Sequence, residues 1–378
     1  MEKIKILVLN YEWPPLGGGA SPMSYELTKR LAEMGAYDID VVTMHFKELP
    51  KYEEILPNLR VHRVFSLRRK KEMCHPWEQL AYLISAYFKV RSLIKGNNYH
   101  FCHTHFIIPT GVLALVLKKQ FGLPYLITPH GSDVLGYNPR FKKLYPLLTR
   151  VWKLVLNRAK KVISPSHFLR SQILAVYPKY NREQIIVIPN GIDTKKFTSQ
   201  QKKPYIFSSG RLFSTKGFQY LIEAVASEDL GWEVHIAGDG PMRQELEALA
   251  KKSKTKVVMH GWLNNNGEEY KNLMEQASIY VLASEKENAS IALLEAMSAG
   301  CAVITTNAPG CAETVGEEGI LVDIQSSSQI KRALTELVAD TQKLQRLQTS
   351  MRVRAKTKFE WGQVLNQYRL QYENCHIS

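Results

Sequence analysis

The chain has 378 residues, of which 45% are apolar and 22% charged. That composition excludes a disordered chain and fits two domains of roughly 150–200 residues each better than one. The net charge of +15 is uneven: residues 1–198 carry 30 Lys and Arg against 14 Asp and Glu, whereas residues 199–378 carry 20 against 21. An anionic partner, if there is one, therefore falls to the first half.

The apolar run Ile107–Leu117 is too short for a membrane span of about 20 residues. The N-terminus runs straight into KIKILVLN without a signal-peptide pattern. The five cysteines are odd in number, scattered and without metal-ligand spacing, which points to a reducing cytoplasm and no disulfide framework.

In chain order, Lys3–Asn10 reads as a first strand, followed by a turn containing Gly17, Gly18 and Gly19. A helix from Pro22 to Met34 comes next, with Ser21 as its N-cap and Pro22 as its first residue. A strand, a glycine turn and a helix N-terminus suit an anion, because free backbone N–H groups point at it; the same triplet also serves as a plain flexible turn. Strand-like and helix-like stretches then alternate. Asp40–Met44 precedes Trp77–Lys95, Phe101–Phe106 precedes Pro109–Phe121, and Pro124–Thr128 precedes Pro139–Ala159. Val162–Ser164 precedes Pro165–Tyr177, and Ile185–Ile188 closes the half. This order predicts a parallel sheet covered on both faces, with ligands outside the carboxyl ends of its strands.

His130 stands at such an end, in Thr128-Pro-His-Gly-Ser-Asp-Val134. His103 and His105 flank another; their period-two spacing lacks accompanying Cys, Asp or Glu, so both read as structural. Two basic stretches stand out, Arg68–Lys71 and Arg140–Lys161. The second interleaves cations with Phe141, Tyr145, Leu147, Leu148, Val151, Trp152, Leu154, Val155 and Leu156. Such a helix either buries its apolar face on the sheet with its cations solvated, or lies on an anionic membrane.

After Ile188-Pro-Asn-Gly-Ile-Asp193 and Phe197, polar residues 198–204 read as a linker. A second alternating set begins with strand Tyr205–Ser209, which runs into Gly210-Arg211-Leu212 and Lys216-Gly217. Strand Trp232–Ala237 then leads into Gly238-Asp-Gly-Pro241, with Pro241 suited to a first helical position. Lys256–His260, Ser278–Ala283, Cys301–Thr305 and Ile320–Val322 continue the sheet. Glu287 lies in a loop and Glu295 inside the apolar helix from Ile291, which Gly300 stops. Taken alone, the two acids read equally as surface carboxylates.

Together these stretches resemble the retaining glycosyltransferases of family 4 (glycosyl transferases group 1), in that family's motif order: the glycine loop, HGSD, PNGxD…F, GRL…KG, GxGP, and E-x7-E formed by Glu287 and Glu295. The resemblance implies a GT-B fold, with two Rossmann-like α/β domains whose parallel sheets face each other across a deep cleft. The expected domains are 1–197, completed by the C-terminal helix 359–378, and 198–358. The family assigns Arg211 and Lys216 to the donor diphosphate, Glu295 to the ribose, Glu287 and His130 to the sugar, and Gly18 and Gly19 to the phosphates. Asn288, Ala289, Ser290 and Ile291 stand where the family binds the donor. The family most often has Gly-Phe-Gly at 288–290, and Asn-Ala-Ser here leaves the sugar open.

The implied reaction moves a sugar from a UDP- or GDP-sugar to an acceptor hydroxyl with retention. No metal or other cofactor is expected, since fixed cations stabilise the leaving diphosphate. The acceptor is expected in glycolipid, cell-envelope or polysaccharide synthesis, with the protein cytoplasmic or peripheral on the inner membrane face. No nucleic-acid partner is expected. A glycosidase also uses paired carboxylates but has no use for a phosphate grip. A dehydrogenase is opposed by the missing G-x-G-x-x-G after the first strand. The non-enzymatic alternative is a degenerate GT-B protein that binds anionic surfaces through its basic half, recognisable by steep salt dependence.

Overall fold

The computed structural model describes residues 3–71, 73–135, 145–198 and 201–377. It divides into two compact units, one formed by Met1–Pro189 with Val364–Ser378 and the other by Asn190–Gln363.

The first unit is built on β1 (Ile4–Leu9), β2 (Tyr37–Met44), β3 (Tyr52–Leu56), β4 (Leu59–Val64), β5 (Phe101–His105), β6 (Tyr125–Thr128), β7 (Lys161–Ser164) and β8 (Ile185–Val187). These form one sheet in the order β3-β4-β2-β1-β5-β6-β7-β8. All neighbours are parallel except β3 and β4. The central strands β1, β5 and β6 are buried along most of their length rather than at alternate residues, because helices cover both faces. Tyr82, Ala86 and Val90 of helix Pro76–Gly96 and Trp152, Val155 and Leu156 of helix Tyr145–Arg158 are buried in this core. β1 lies between β2 and β5, so the winding direction reverses between β1 and β5.

The antiparallel β3–β4 pair is absent from the sequence-based expectation. Tyr52-Glu-Glu-Ile-Leu56 is an edge strand with no fully buried residue, so no apolar run announces it. Helix starts also differ. Helix Ala20–Glu33 begins at Ala20 with Gly19 as N-cap, which places Ser21 and Pro22 within the first turn. Proline is tolerated there because first-turn N–H groups lack intrahelical partners anyway. The helix after Pro241 starts at Arg243, with Met242 as N-cap.

The second unit is built on β9 (Lys203–Ser209), β10 (Glu233–Ala237), β11 (Val257–Gly261), β12 (Ala277–Leu282), β13 (Ala302–Thr306) and β14 (Ile320–Val322). Its sheet is wholly parallel, in the order β11-β10-β9-β12-β13-β14, with a buried apolar cluster on each face. Here the winding reverses between β9 and β12.

The units part at Pro189/Asn190 and Gln363/Val364, whereas the motifs place the joints at 197/198 and 358/359. Backbone pairing accounts for the difference. The Ile192 N–H donates to the Phe359 carbonyl at 2.7 Å and the Trp361 N–H to the Ile192 carbonyl at 3.3 Å, tying both joint segments to the second unit.

Candidate active site

In the second unit the carboxyl ends of β9 and β12, the two strands at the reversal, lie side by side. β9 leads into Gly210 and Arg211, then through a short turn into Lys216 and Gly217. β12 leads into Ala283, Ser284 and Glu287. Gly217 sits at φ +74°, and a Cβ there would lie 1.9 Å from the Ala283 carbonyl oxygen. Only glycine permits that approach, and it brings the two loops into contact. The Lys216 ammonium pairs with Glu287 Oε1, which also accepts from Ser284 Oγ at 3.1 Å. Glu287 Oε2 accepts no hydrogen bond among the described residues. Gly310 supports the loop from the other side, since a Cβ there would meet the Glu287 and Asn288 carbonyl oxygens at 2.3 and 2.4 Å. Arg211 is exposed and makes no side-chain hydrogen bond or ion pair with the described residues.

Glu295 is held differently. It lies one turn into helix Ile291–Ala299, which Ser290 caps through Leu293 N–H and Gly300 ends in the left-handed conformation. Its carboxylate is buried. Oε1 takes the Lys196 ammonium at 2.7 Å and Oε2 takes the Tyr270 hydroxyl at 2.8 Å. The Tyr270 oxygen is in turn 3.1 Å from Ser209 Oγ, which lies 3.0 Å from the Tyr280 hydroxyl. This chain fixes the acid to the last residue of β9, beside Gly210 and Arg211. Burial, and then the neighbouring Glu295, raise the Tyr270 phenol well above its usual value, so it stays a donor. A carboxylate has about four lone-pair sites, so two remain for hydroxyl donors. Ala289 offers its carbonyl to Asn190 Nδ2 at 3.3 Å. Ser290, expected among the donor contacts, has its hydroxyl buried and engaged as the helix cap.

In the first unit His130 follows β6, and its Nε2 lies 3.1 Å from Nδ1 of His105 at the end of β5. Asp133 shapes the loop: Oδ1 accepts from the His130 and Gly131 N–H groups at 2.9 and 3.0 Å, and Oδ2 from Ile107 N–H at 2.7 Å. Burial nevertheless pushes the Asp133 carboxyl up to about 6 and holds the His130 imidazole down at about 3. His103 bonds the Tyr372 hydroxyl at 2.7 Å and Thr128 Oγ1 at 2.9 Å, and burial holds it at about 3. Both of its ring nitrogens are thus engaged inside the first unit. His105 instead steadies His130. Gly18 N–H lies 3.4 Å from Glu12 Oε2, and Gly17 N–H donates to the Lys71 carbonyl at 2.8 Å.

Lys196, Tyr270, His105 and Asp133 do not stand out in the sequence as site residues. Asp133 alone has a signal, as the last residue of HGSD. Of the basic helix, Arg140, Phe141, Lys142 and Lys143 lie outside the described residues, as do the side chains of Tyr145 and Leu147. Trp152, Val155 and Leu156 are in the core, while Arg150 and Arg158 are solvated. Arg68, the first residue of the other basic stretch, is buried and donates to the Lys70 and Lys71 carbonyls. Among the described residues no group of three or more His, Cys, Asp or Glu is placed to hold a metal, and no helix is long and apolar enough to cross a membrane.

Two parallel-sheet units, each with glycine-bearing loops at its point of reversal, form the framework of a GT-B glycosyltransferase. Comparison with known proteins gives the family. Residues 17–196 match the sequence model of Glycosyltransferase Family 4 and residues 191–354 that of Glycosyl transferases group 1, and the chain belongs to this glycosyltransferase family. It is 25% identical to N-acetyl-alpha-D-glucosaminyl L-malate synthase of Bacillus anthracis, over 98% of this chain and 97% of that one. Among solved structures, sucrose-phosphate synthase from Thermosynechococcus elongatus superposes with a TM-score of 0.82 at 21% identity, covering 98% of this chain and 99% of that one. HepE from Anabaena, in complex with UDP, gives 0.77 at 17% identity over 98% and 100%. Both likenesses establish the GT-B fold.

Proposed function

We propose that the protein transfers a sugar from a nucleoside diphosphate sugar to an acceptor hydroxyl with retention and without a metal ion. The observation that carries this reading is the meeting of Lys216 and Glu287 at the point of reversal of the second unit, where open α/β sheets take their ligands. Cleaving the anomeric carbon–oxygen bond leaves negative charge on the departing diphosphate. Arg211, exposed and unpaired with the described residues, and Lys216 are assigned to that charge, in place of a metal. Glu295 is assigned to the ribose hydroxyls, for which it keeps acceptor capacity. Glu287 keeps Oε2 for a sugar hydroxyl, and residues 288–291 complete the donor contacts. In the first unit, His130 is assigned to the sugar and Gly18 and Gly19 to the phosphates.

UDP is the favoured nucleotide, with GDP next, because the similar protein HepE binds UDP. The acceptor class is an envelope glycolipid or polysaccharide, made on the cytoplasmic side. The test is thermal stabilisation by UDP, GDP, ADP and their sugars, in magnesium and in EDTA. A shift for one nucleotide, unchanged by EDTA, is expected. Absence of any shift overturns the assignment, and a shift that needs magnesium overturns its metal independence.

A further inference from the structure

Helix Pro76–Gly96 is apolar on two sides. Its inner side, Tyr82, Ala86 and Val90, is fully buried. Its outer side repeats the helical spacing with Trp77, Leu80, Ile84 and Phe88, which are 52%, 58%, 54% and 62% exposed. A solvated face of a globular domain ordinarily carries charge instead. The stripe ends in Arg91 and Lys95, both exposed.

The preceding segment continues the surface. From Phe65 to Arg69 the side chains alternate: Ser66 and Arg68 are buried, while Phe65, Leu67 and Arg69 are exposed. The buried Arg68 guanidinium draws the Lys70 and Lys71 carbonyls inward, and both lysine side chains are exposed. Glu78 locks this segment to the helix, accepting from Arg69 N–H at 3.1 Å and His75 N–H at 2.7 Å. Residues 65–96 hold seven Lys and Arg against Glu72 and Glu78, and Glu78 is buried in these contacts. Arg69, Lys70, Lys71, Arg91 and Lys95 form no ion pair with the described residues.

We propose that this surface, residues 65–71 and 73–75 together with the outer side of helix Pro76–Gly96, docks on an anionic lipid bilayer. Trp, Leu, Ile and Phe flanked by cations that pair with no described residue match the headgroup boundary, where apolar side chains sink and basic ones meet lipid phosphate. A second copy of this chain fits poorly, because a symmetric contact sets the same cations against each other. The docking surface differs from the basic helix that the sequence suggests. It also touches the glycine loop, since the Lys71 carbonyl accepts from Gly17 N–H at 2.8 Å. Docking therefore brings the Gly17–Gly19 loop to the membrane, where a lipid-borne acceptor would be met. The docking stands on the surface alone, and the acceptor's location rests on the proposed transfer reaction.

The test is co-sedimentation with vesicles of phosphatidylcholine alone and of equal parts phosphatidylcholine and phosphatidylglycerol, at low and high salt. The wild type is expected to sediment with the anionic vesicles only, less so at high salt. The Lys70→Gln/Lys71→Gln variant should bind about thirtyfold more weakly, and the Leu80→Ser/Ile84→Ser/Phe88→Ser variant should remain in solution. Thermal stabilisation by UDP is read on every variant. Its retention separates lost docking from lost folding, and its absence in the wild type bears on the transferase reading instead. If the triple variant misfolds, the lysine variant decides. Equal binding to neutral vesicles, no vesicle binding, or unaffected variants overturns the proposal. So does a dimer, seen by light scattering, that the triple variant dissociates.

Discussion

Replacing Gly217 by alanine isolates what brings Lys216 to Glu287. At φ +74° an L-residue costs about 1–2 kcal/mol. The new Cβ would also stand 1.9 Å from the Ala283 carbonyl oxygen and 2.6 Å from its carbon, both backbone atoms. Cβ contacts below 3.0 Å are essentially never seen, so one of the two loops must retreat by roughly 1 Å or more. Both loops carry site residues, and a displacement of about 1 Å is expected to cost on the order of a hundredfold in turnover. Gly231 is the control: it lies in the same unit at φ +68°, and a Cβ there would meet nothing within 4 Å. The expected result is that Gly231→Ala loses only the backbone cost in urea denaturation and binds UDP as the wild type does. Gly217→Ala should lose more stability and about two orders of magnitude in donor turnover. If both variants bind and turn over the donor alike, the close approach of the loops does not set the site.

Arg211→Ala should lower kcat/KM by about 100- to 1,000-fold, the loss typical of one preorganised transition-state donor, with unchanged circular dichroism because the side chain is exposed; a wild-type rate would sink the diphosphate assignment. Lys196→Met takes the ammonium from the buried Glu295 and leaves it the Tyr270 hydroxyl, and should cost about 1–3 kcal/mol in urea denaturation, since the lysine itself is partly solvated. Acid should destabilise the first unit. His103 and His130 titrate near 3 in the native protein, against 6.5 for an ordinary histidine. The unfolded chain therefore takes up protons that the native rings refuse, and stability drops as pH falls from about 6.5 toward 3. Asp133, raised to about 6, works in the opposite direction, its contribution being present below about 4 and lost as pH rises to 6. The histidines outnumber it, so urea midpoints should fall between pH 7 and pH 4.5, and less steeply in His130→Asn; an unchanged slope in that variant refutes the assignment.

Strand ends and their glycines are legible in the sequence because each motif is local. β9 with Gly210-Arg211, the Ile291–Ala299 helix and its Gly300 stop all follow from apolar runs punctuated by glycine. Partners distant in sequence are not legible. Nothing near Glu295 announces Lys196 or Tyr270, which only the folded sheet brings within 2.8 Å. Burial of an internally satisfied charge is not legible in composition, as at Arg68, whose guanidinium finds two carbonyls and the Met44 sulfur. The second apolar face of helix Pro76–Gly96 is likewise not legible, because only the structure shows which of its apolar residues are exposed.

The most direct test of the account is proton NMR of the anomeric signal while the protein acts on a UDP-sugar in EDTA, with bulk water or an added acceptor receiving the sugar. Release of UDP with product first appearing in the donor's own anomeric configuration is predicted. Product of the opposite configuration would contradict retention. An intact donor, for every nucleotide sugar tried, would contradict the transfer reaction itself.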